Sequence, residues 1–224
     1  MYRITKSSYY LMGALFYLSI LCSSCDGNSY KNTFPPVLLS FATVQADIEG
    51  KVAFLVTDDY EMYSVLQDKT NTVLEAKETK RVVCYYEITG SKEAIILYSL
   101  GYPIATEPLL PSMFPELKQD PVSLQSGWVG NDYLNLLLQI RLAEASKHKL
   151  AFIEESVVYL EGVKTIFLSL YHDASDDHFS YTDRVYCSIP LHKYIVNEDL
   201  VQVVFSYFDY AGNRQSLVYK IGNK

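Results

Sequence analysis

An all-β body in two parts is what this sequence predicts, and three observations carry the prediction. The 224 residues include 20 tyrosines and 10 phenylalanines but only 10 glycines, and aromatic and β-branched side chains suit a pleated, half-buried surface. Short apolar runs recur between polar turns, with helical periodicity hard to find once the N-terminal segment is passed. Five of the eight prolines crowd into residues 103–121, where missing N–H groups interrupt sheet pairing and divide the runs into two series.

The chain starts with Arg3 and Lys6, continues through an apolar run at 11–21, and reaches Cys22-Ser23-Ser24-Cys25. Eleven apolar residues are too few to span a bilayer core of about 30 Å, but suit the core of a secretory signal. Small serines before Cys25 resemble the lipobox of bacterial lipoproteins, whereas Ile20 and Leu21 before Cys22 are too bulky for the peptidase. Residues 1–24 are therefore expected to be a signal peptide and Cys25 the lipidated residue. Acyl chains contribute about 0.8 kcal/mol per buried CH2, enough for a membrane hold that the polar body itself does not offer.

Processing leaves 200 residues, and losing Arg3 and Lys6 with no acid takes the formal charge from −7 to −9. The remaining basic residues are scattered singly along an acidic chain, whereas a phosphate backbone is bound by clustered Lys and Arg, so nucleic acid is excluded as an expected partner.

Residues 25–36, polar and closed by Pro35-Pro36, read as a tether with too little apolar surface to fold. Strands are expected at 37–44, 52–57, 60–66, 81–88 and 94–102, with Asp58-Asp59 as a tight hairpin turn. Five strands with a longer link between the third and fourth fit a small OB-like barrel at 37–110. The proline-rich stretch then marks a boundary. A second series follows within 111–224. Leu134, Leu136, Leu138 and Ile140 share one face of a strand, and further strands are expected at 149–153, 163–171, 181–189, 200–210 and 215–221. Ala211-Gly212-Asn213 turns between the last two, and the series points to a β-sandwich. Cys84 and Cys187, both in apolar strand settings, read as buried thiols.

Ser126-Gly127-Trp128-Val129-Gly130-Asn131-Asp132-Tyr133, Leu168-Ser169-Leu170-Tyr171-His172-Asp173, Tyr186-Cys187-Ser188-Ile189-Pro190-Leu191 and Tyr207-Phe208-Asp209-Tyr210-Ala211-Gly212-Asn213 resemble the NigD-like lipoproteins of anaerobic Gram-negative gut and oral bacteria. The resemblance covers most of the mature chain and is strongest after Pro121. It implies an OB-type barrel followed by a β-sandwich, an outer-membrane lipid anchor facing the periplasm or the surface, and a role tied to bacteriocin immunity or envelope protection. No catalytic residues come with it. One departure is that the turn after Asp59 lacks the glycine often found there.

His172-Asp173-Ala174-Ser175-Asp176-Asp177-His178 is the one cluster with ligand chemistry. His172, Asp173, Asp176, Asp177 and His178 carry the nitrogen and oxygen donors that zinc takes at about 2.0–2.2 Å, and the alternative reading is a metal-binding module or metal-dependent hydrolase there. An ordinary strand connection has the same composition. Trp128 with Tyr133 is a candidate stacking platform for a sugar ring, set against burial at a domain boundary. Adjacent Glu154-Glu155 face opposite ways along a strand and make no natural acid–base pair. No Gly-x-Ser-x-Gly elbow, phosphate-cradling glycine loop, His-Glu-x-x-His pair or Cys-x-x-Cys site is present. The expectation is a non-enzymatic lipoprotein without cofactor, presenting its β body to an envelope protein, a glycan or a bacteriocin-like toxin.

Overall fold

Alternating apolar residues set the architecture of both parts. The computed structural model describes residues 36–90, 92–177 and 180–222; the signal, Cys25, the tether before Pro36 and His178 lie outside them. Strands β1 (Leu38–Ala46), β2 (Val52–Thr57), β3 (Met62–Asp68), β4 (Thr79–Ile88) and β5 (Ala94–Gly101) close into a barrel in the order β1-β2-β3-β5-β4. Closure comes from β1 pairing with β4, and β3 runs parallel to β5. Ala42, Val44, Leu55, Tyr63, Val82, Cys84, Ile95 and Leu97 fill the barrel interior, so all five strands send inward-facing side chains to one core.

The second part stacks two sheets. One has the order β10-β7-β6, from β10 (Tyr181–Pro190), β7 (Tyr133–Leu142) and β6 (Ser123–Gly130); the other has β12-β11-β9-β8, from β12 (Arg214–Gly222), β11 (Leu200–Phe208), β9 (Val163–Asp173) and β8 (Lys149–Leu160). Leu134, Leu136, Leu138 and Ile140 are all buried against Phe152, Ile166, Leu168, Val203 and Phe205 of the facing sheet. The expected β-sandwich is therefore present. A single helical turn, α1 (His192–Ile195), joins β10 to β11. Cys84 and Cys187 are free thiols in separate cores, and burial pushes each up to about 12.

Three local differences from the sequence reading have physical causes. Strand β6 was not expected, because Ser-Leu-Gln-Ser-Gly-Trp-Val-Gly has no clean alternation, yet it pairs with β7 from Ser123 to Gly130. At its Gly127 an added Cβ would lie 2.2 Å from the Tyr219 hydroxyl and would displace that side chain. Strand β8 runs on to Leu160, because the Glu161-Gly162 tip takes positive φ angles of 51° and 79° and sustains a long hairpin with β9. In the β2–β3 hairpin the positive φ falls on Tyr60, at 64°, and on neither Asp58 nor Asp59.

The proline-rich stretch between the two strand series lies along the sandwich as a strap. Ile104 bridges to Cys187, Leu109 to Ile153 and Gln119 to His172, so backbone groups that proline leaves in short supply find partners on strand edges. Among the described residues, no helix is long and apolar enough to cross a membrane.

Candidate functional site

Two hairpin tips meet where the barrel touches the sandwich. The β2–β3 tip contributes Asp58 and Tyr60, and the β6–β7 tip contributes Gly130, Asn131 and Asp132. Asn131 N–H donates to the Asp58 carbonyl at 2.9 Å, and the Tyr60 hydroxyl donates to Asp132 Oδ1 at 2.5 Å. Burial first, and then this bond, push the Tyr60 hydroxyl up to about 12. Gly130 lets the tips close, because a Cβ there would sit 2.5 Å from the Asp58 Cβ. The strain of Tyr60 in the left-handed region is thus held by a contact that a glycine would not make.

Beneath the tips lies a buried polar network centred on Arg81 of β4, whose side chain is 3% exposed. Its Nε donates to Ser188 Oγ at 2.9 Å, and one terminal nitrogen is shared by Asp58 Oδ1 at 2.5 Å and Asn135 Oδ1 at 2.9 Å. Asp58 Oδ2 accepts from Asn135 Nδ2 at 2.7 Å and from the Trp128 indole N–H at 3.1 Å. Ser188 closes the ring by donating to Asn135 Oδ1 at 2.7 Å. The cation also lies over the Tyr133 ring, 4.3 Å from its centroid. Two barrel residues, Arg81 and Asp58, and two sandwich residues, Asn135 and Ser188, make up this ring, so breaking it leaves charged or polar groups without partners.

A crevice of about 520 Å³ opens beside the network, lined by β1, β4, the β2–β3 tip, β6, β7 and β10, within the range usual for ligand sites. Its walls carry Leu38, Leu39 and Trp128, which are 43%, 45% and 38% exposed. Phe41 supports Trp128 edge-to-face at 5.3 Å. Asp59 and Glu61 stand on the barrel rim and Arg184 on the sandwich rim, all three exposed. Trp128 therefore lines this crevice, whereas Tyr133 lines a different depression beside Arg81. The two rings do not form one platform.

The histidine-rich loop folds into a separate cluster. His172 Nδ1 donates to the Asp120 carbonyl at 3.0 Å, which leaves its Nε2, 2.9 Å from His148 Nδ1, to accept. His148 Nε2 lies 3.2 Å from Asp177 Oδ2, and the same oxygen accepts the Ala143 and Glu144 N–H groups at 2.6 and 2.9 Å. The imidazole of His148 is 1% exposed and His172 is 2% exposed. Burial holds the His172 imidazole below its usual range, and the Glu144 and Ala143 N–H groups, with His148, hold Asp177 well below the usual carboxylate range. Asp173 and Asp176 line an outer depression with Lys118 and Asp120, which Asp177 also borders. Of the five expected ligands, the structure links His172 and Asp177 through His148 of the β7–β8 loop and sets Asp173 and Asp176 in the outer depression that Asp177 borders, while His178 lies outside the described residues. Among the described residues, no group of three or more His, Cys, Asp or Glu side chains is placed to hold a metal ion.

A family model described as the NigD-like C-terminal beta sandwich domain matches residues 106–221, just over half of the chain. The chain belongs to the NigD-like family. Its barrel-plus-sandwich body is similar to the crystal structure of a NigD-like immunity protein from Bacteroides caccae, at 27% identity and a TM-score of 0.70 over 84% of this chain and 98% of that one. A protein from Parabacteroides distasonis, provisionally described as toxin-related, aligns at 16% identity and a TM-score of 0.68 over 83% of this chain and 93% of that one. One from Bacteroides fragilis, provisionally described as a lipoprotein, aligns at 12% and 0.56 over 85% and 99%. These last two share the fold. No curated protein matches the chain. Within the NigD-like matched region lie Trp128, Asn135 and Ser188 of the network, while Arg81 and Asp58 precede it.

Proposed function

We propose that this NigD-like protein is a non-catalytic envelope lipoprotein, held at the outer membrane through Cys25, that binds a partner in the crevice between barrel and sandwich. The observation that carries the reading is the crevice itself: an exposed indole and two exposed leucines beside a polar network that fixes its walls. Exposed apolar groups rimmed by charge are what a binding surface offers. The histidine cluster supports a non-catalytic role, because its imidazoles are buried and each ring nitrogen already faces a protein group. An immunity protein and a toxin-related protein among the similar structures support a bacteriocin-like toxin or another envelope component as the partner.

A photo-cross-linking residue at Leu38, compared with one at Leu217 on the far edge strand, tests the binding surface in intact cells. A discrete adduct from position 38 alone is expected; equal labelling at both, or none, overturns the assignment. Cys25→Ala tests the anchor. Release from the membrane fraction is expected, and unchanged retention contradicts it.

A further inference from the structure

The crevice has a main-chain feature that its side chains do not explain. Strand β1 pairs with β4 from Leu38 onward, but its register with β2 begins only at Ala42↔Thr57. Chain direction changes after Thr57, where β2 enters the tip at Asp58. Among the described residues, the stretch Leu38, Leu39, Ser40 and Phe41 therefore has a partner strand on one side only. The vacant side is where β2 would continue, and the crevice occupies that place, bounded by these four residues, by Asp58 and Asp59, and by Trp128 and Arg184 across from them. Unpaired strand edges present a row of N–H and C=O groups that an extended chain can match.

Other free edges differ from this one in their surroundings. Among the described residues, the outer side of β12 pairs with no strand but lies open along an exposed stretch, the β8 and β10 edges are each touched by the proline-rich strap, and β6, the other edge of the β10 sheet, forms the facing wall of this crevice through Trp128 and Val129. Among the described residues, the vacant β1 edge coincides with a walled cavity, an exposed indole and rim charges that form no ion pair. The charges have a direction: Asp59 and Glu61 lie on the tip side and Arg184 on the opposite wall; none forms an ion pair among the described residues, although Glu61 Oε2 accepts the Tyr63 hydroxyl at 2.6 Å.

We infer that the crevice takes an extended peptide segment of a partner protein, which adds to β1 as a strand along Leu38–Phe41, places apolar side chains over Leu38 and Trp128, and directs a basic residue toward Asp59 and Glu61. This rests on the crevice being the binding surface proposed above and adds the chemistry of the occupant. Four residues at 3.2–3.4 Å each give an edge of roughly 13 Å, so the recognised core is about four to five residues long. Backbone pairing supplies affinity there, and the apolar and acidic walls supply selectivity. The chain's overall acid excess, 26 Asp and Glu against 19 Lys and Arg, favours a basic segment further.

The test is a phage-displayed library of random linear dodecapeptides selected on the purified protein, with an oligosaccharide array probed in parallel. Enriched peptides are expected to carry large apolar residues next to Lys or Arg, to lose at least tenfold in affinity on Leu38→Glu or Trp128→Ala but not on Leu217→Glu, and to lose it when alternate peptide nitrogens are methylated. Slowed amide exchange within residues 38–41 on peptide addition reports the strand directly, independently of any variant. Peptides whose affinity survives both crevice variants and N-methylation overturn the inference. Oligosaccharides bound in a Trp128-dependent way, with no peptide, would keep the crevice and reject the strand. Binding that appears only after residues before Pro36 are removed would make the chain's own N-terminal segment the occupant, and no ligand of either kind would remove both readings.

Discussion

The Arg81 network and the His148–His172–Asp177 cluster are both buried and polar, but they differ in what they connect. Arg81 joins strands of the barrel to strands of the sandwich, with Asp58, Asn135 and Ser188 as partners from segments up to 107 residues apart. The histidine cluster ties loops within the sandwich part, pinning residues 143–148 and the strap at Asp120 to the end of β9. Next to the first lie rim charges and an open crevice; the second is saturated by its own neighbours. A polar cluster that crosses two parts positions a surface, whereas one that closes on itself holds loops in place. That distinction, rather than the presence of histidine and aspartate, separates the candidate binding site from the structural element.

The largest effect expected from breaking this contrast is on Arg81. Arg81→Met leaves the half-buried Asp58 without its cation, and loss of one member of a fully buried pair costs about 3–5 kcal/mol, an upper bound here because Trp128 and Asn135 still donate to Asp58. Urea unfolding is expected to shift accordingly and to split into two transitions as barrel and sandwich uncouple. A single unshifted transition would show that the network does not join them. Next is Gly130→Ala, whose added Cβ would meet Asp58; separating the tips is expected to cost about 1–3 kcal/mol. His148→Ala strips partners from His172 and Asp177 and is expected to cost a similar 1–3 kcal/mol, while leaving peptide binding in the crevice unchanged.

A smaller effect distinguishes the clusters by pH. His172 is held below its ordinary value of 6.5 by burial, so the unfolded chain takes up a proton before the folded one does. Its contribution is complete above 6.5 and declines as pH falls through and below that value. The urea midpoint is expected to drop between pH 7.5 and 5.5, and His172→Gln to flatten that drop; an equal slope in both proteins would remove the imidazole from the account. Smallest is Asp59→Asn with Glu61→Gln, which should leave stability within about 0.5 kcal/mol because both side chains are exposed.

Much of the fold was legible, because alternation at Leu134, Leu136, Leu138 and Ile140 and the branched runs of the first half declare strands locally. Strand β6 was hidden by its glycines, and the extra half of β8 by Glu154-Glu155, which interrupt its apolar run. The junction was much less legible. Arg81, Asp58, Asn135 and Ser188 are scattered through the sequence, and Asp58 reads as a turn residue because nothing local announces a buried guanidinium. Trp128 was a candidate by type, but its pairing with Tyr133 rested on proximity in sequence, and the β6–β7 hairpin carries the two rings to different depressions. His148 was passed over for the same reason in reverse: it lies 24 residues from His172 along the chain but 2.9 Å away in space.

The measurement that reaches the central claim most directly combines the two halves of this comparison. Cross-linking from Leu38 in intact cells would be measured in the parent protein, in Gly130→Ala and in His148→Ala. If the locked tips position a binding crevice, the adduct falls at least several-fold in Gly130→Ala and persists in His148→Ala. An adduct insensitive to Gly130→Ala, in a protein whose barrel and sandwich have come apart, would contradict the account.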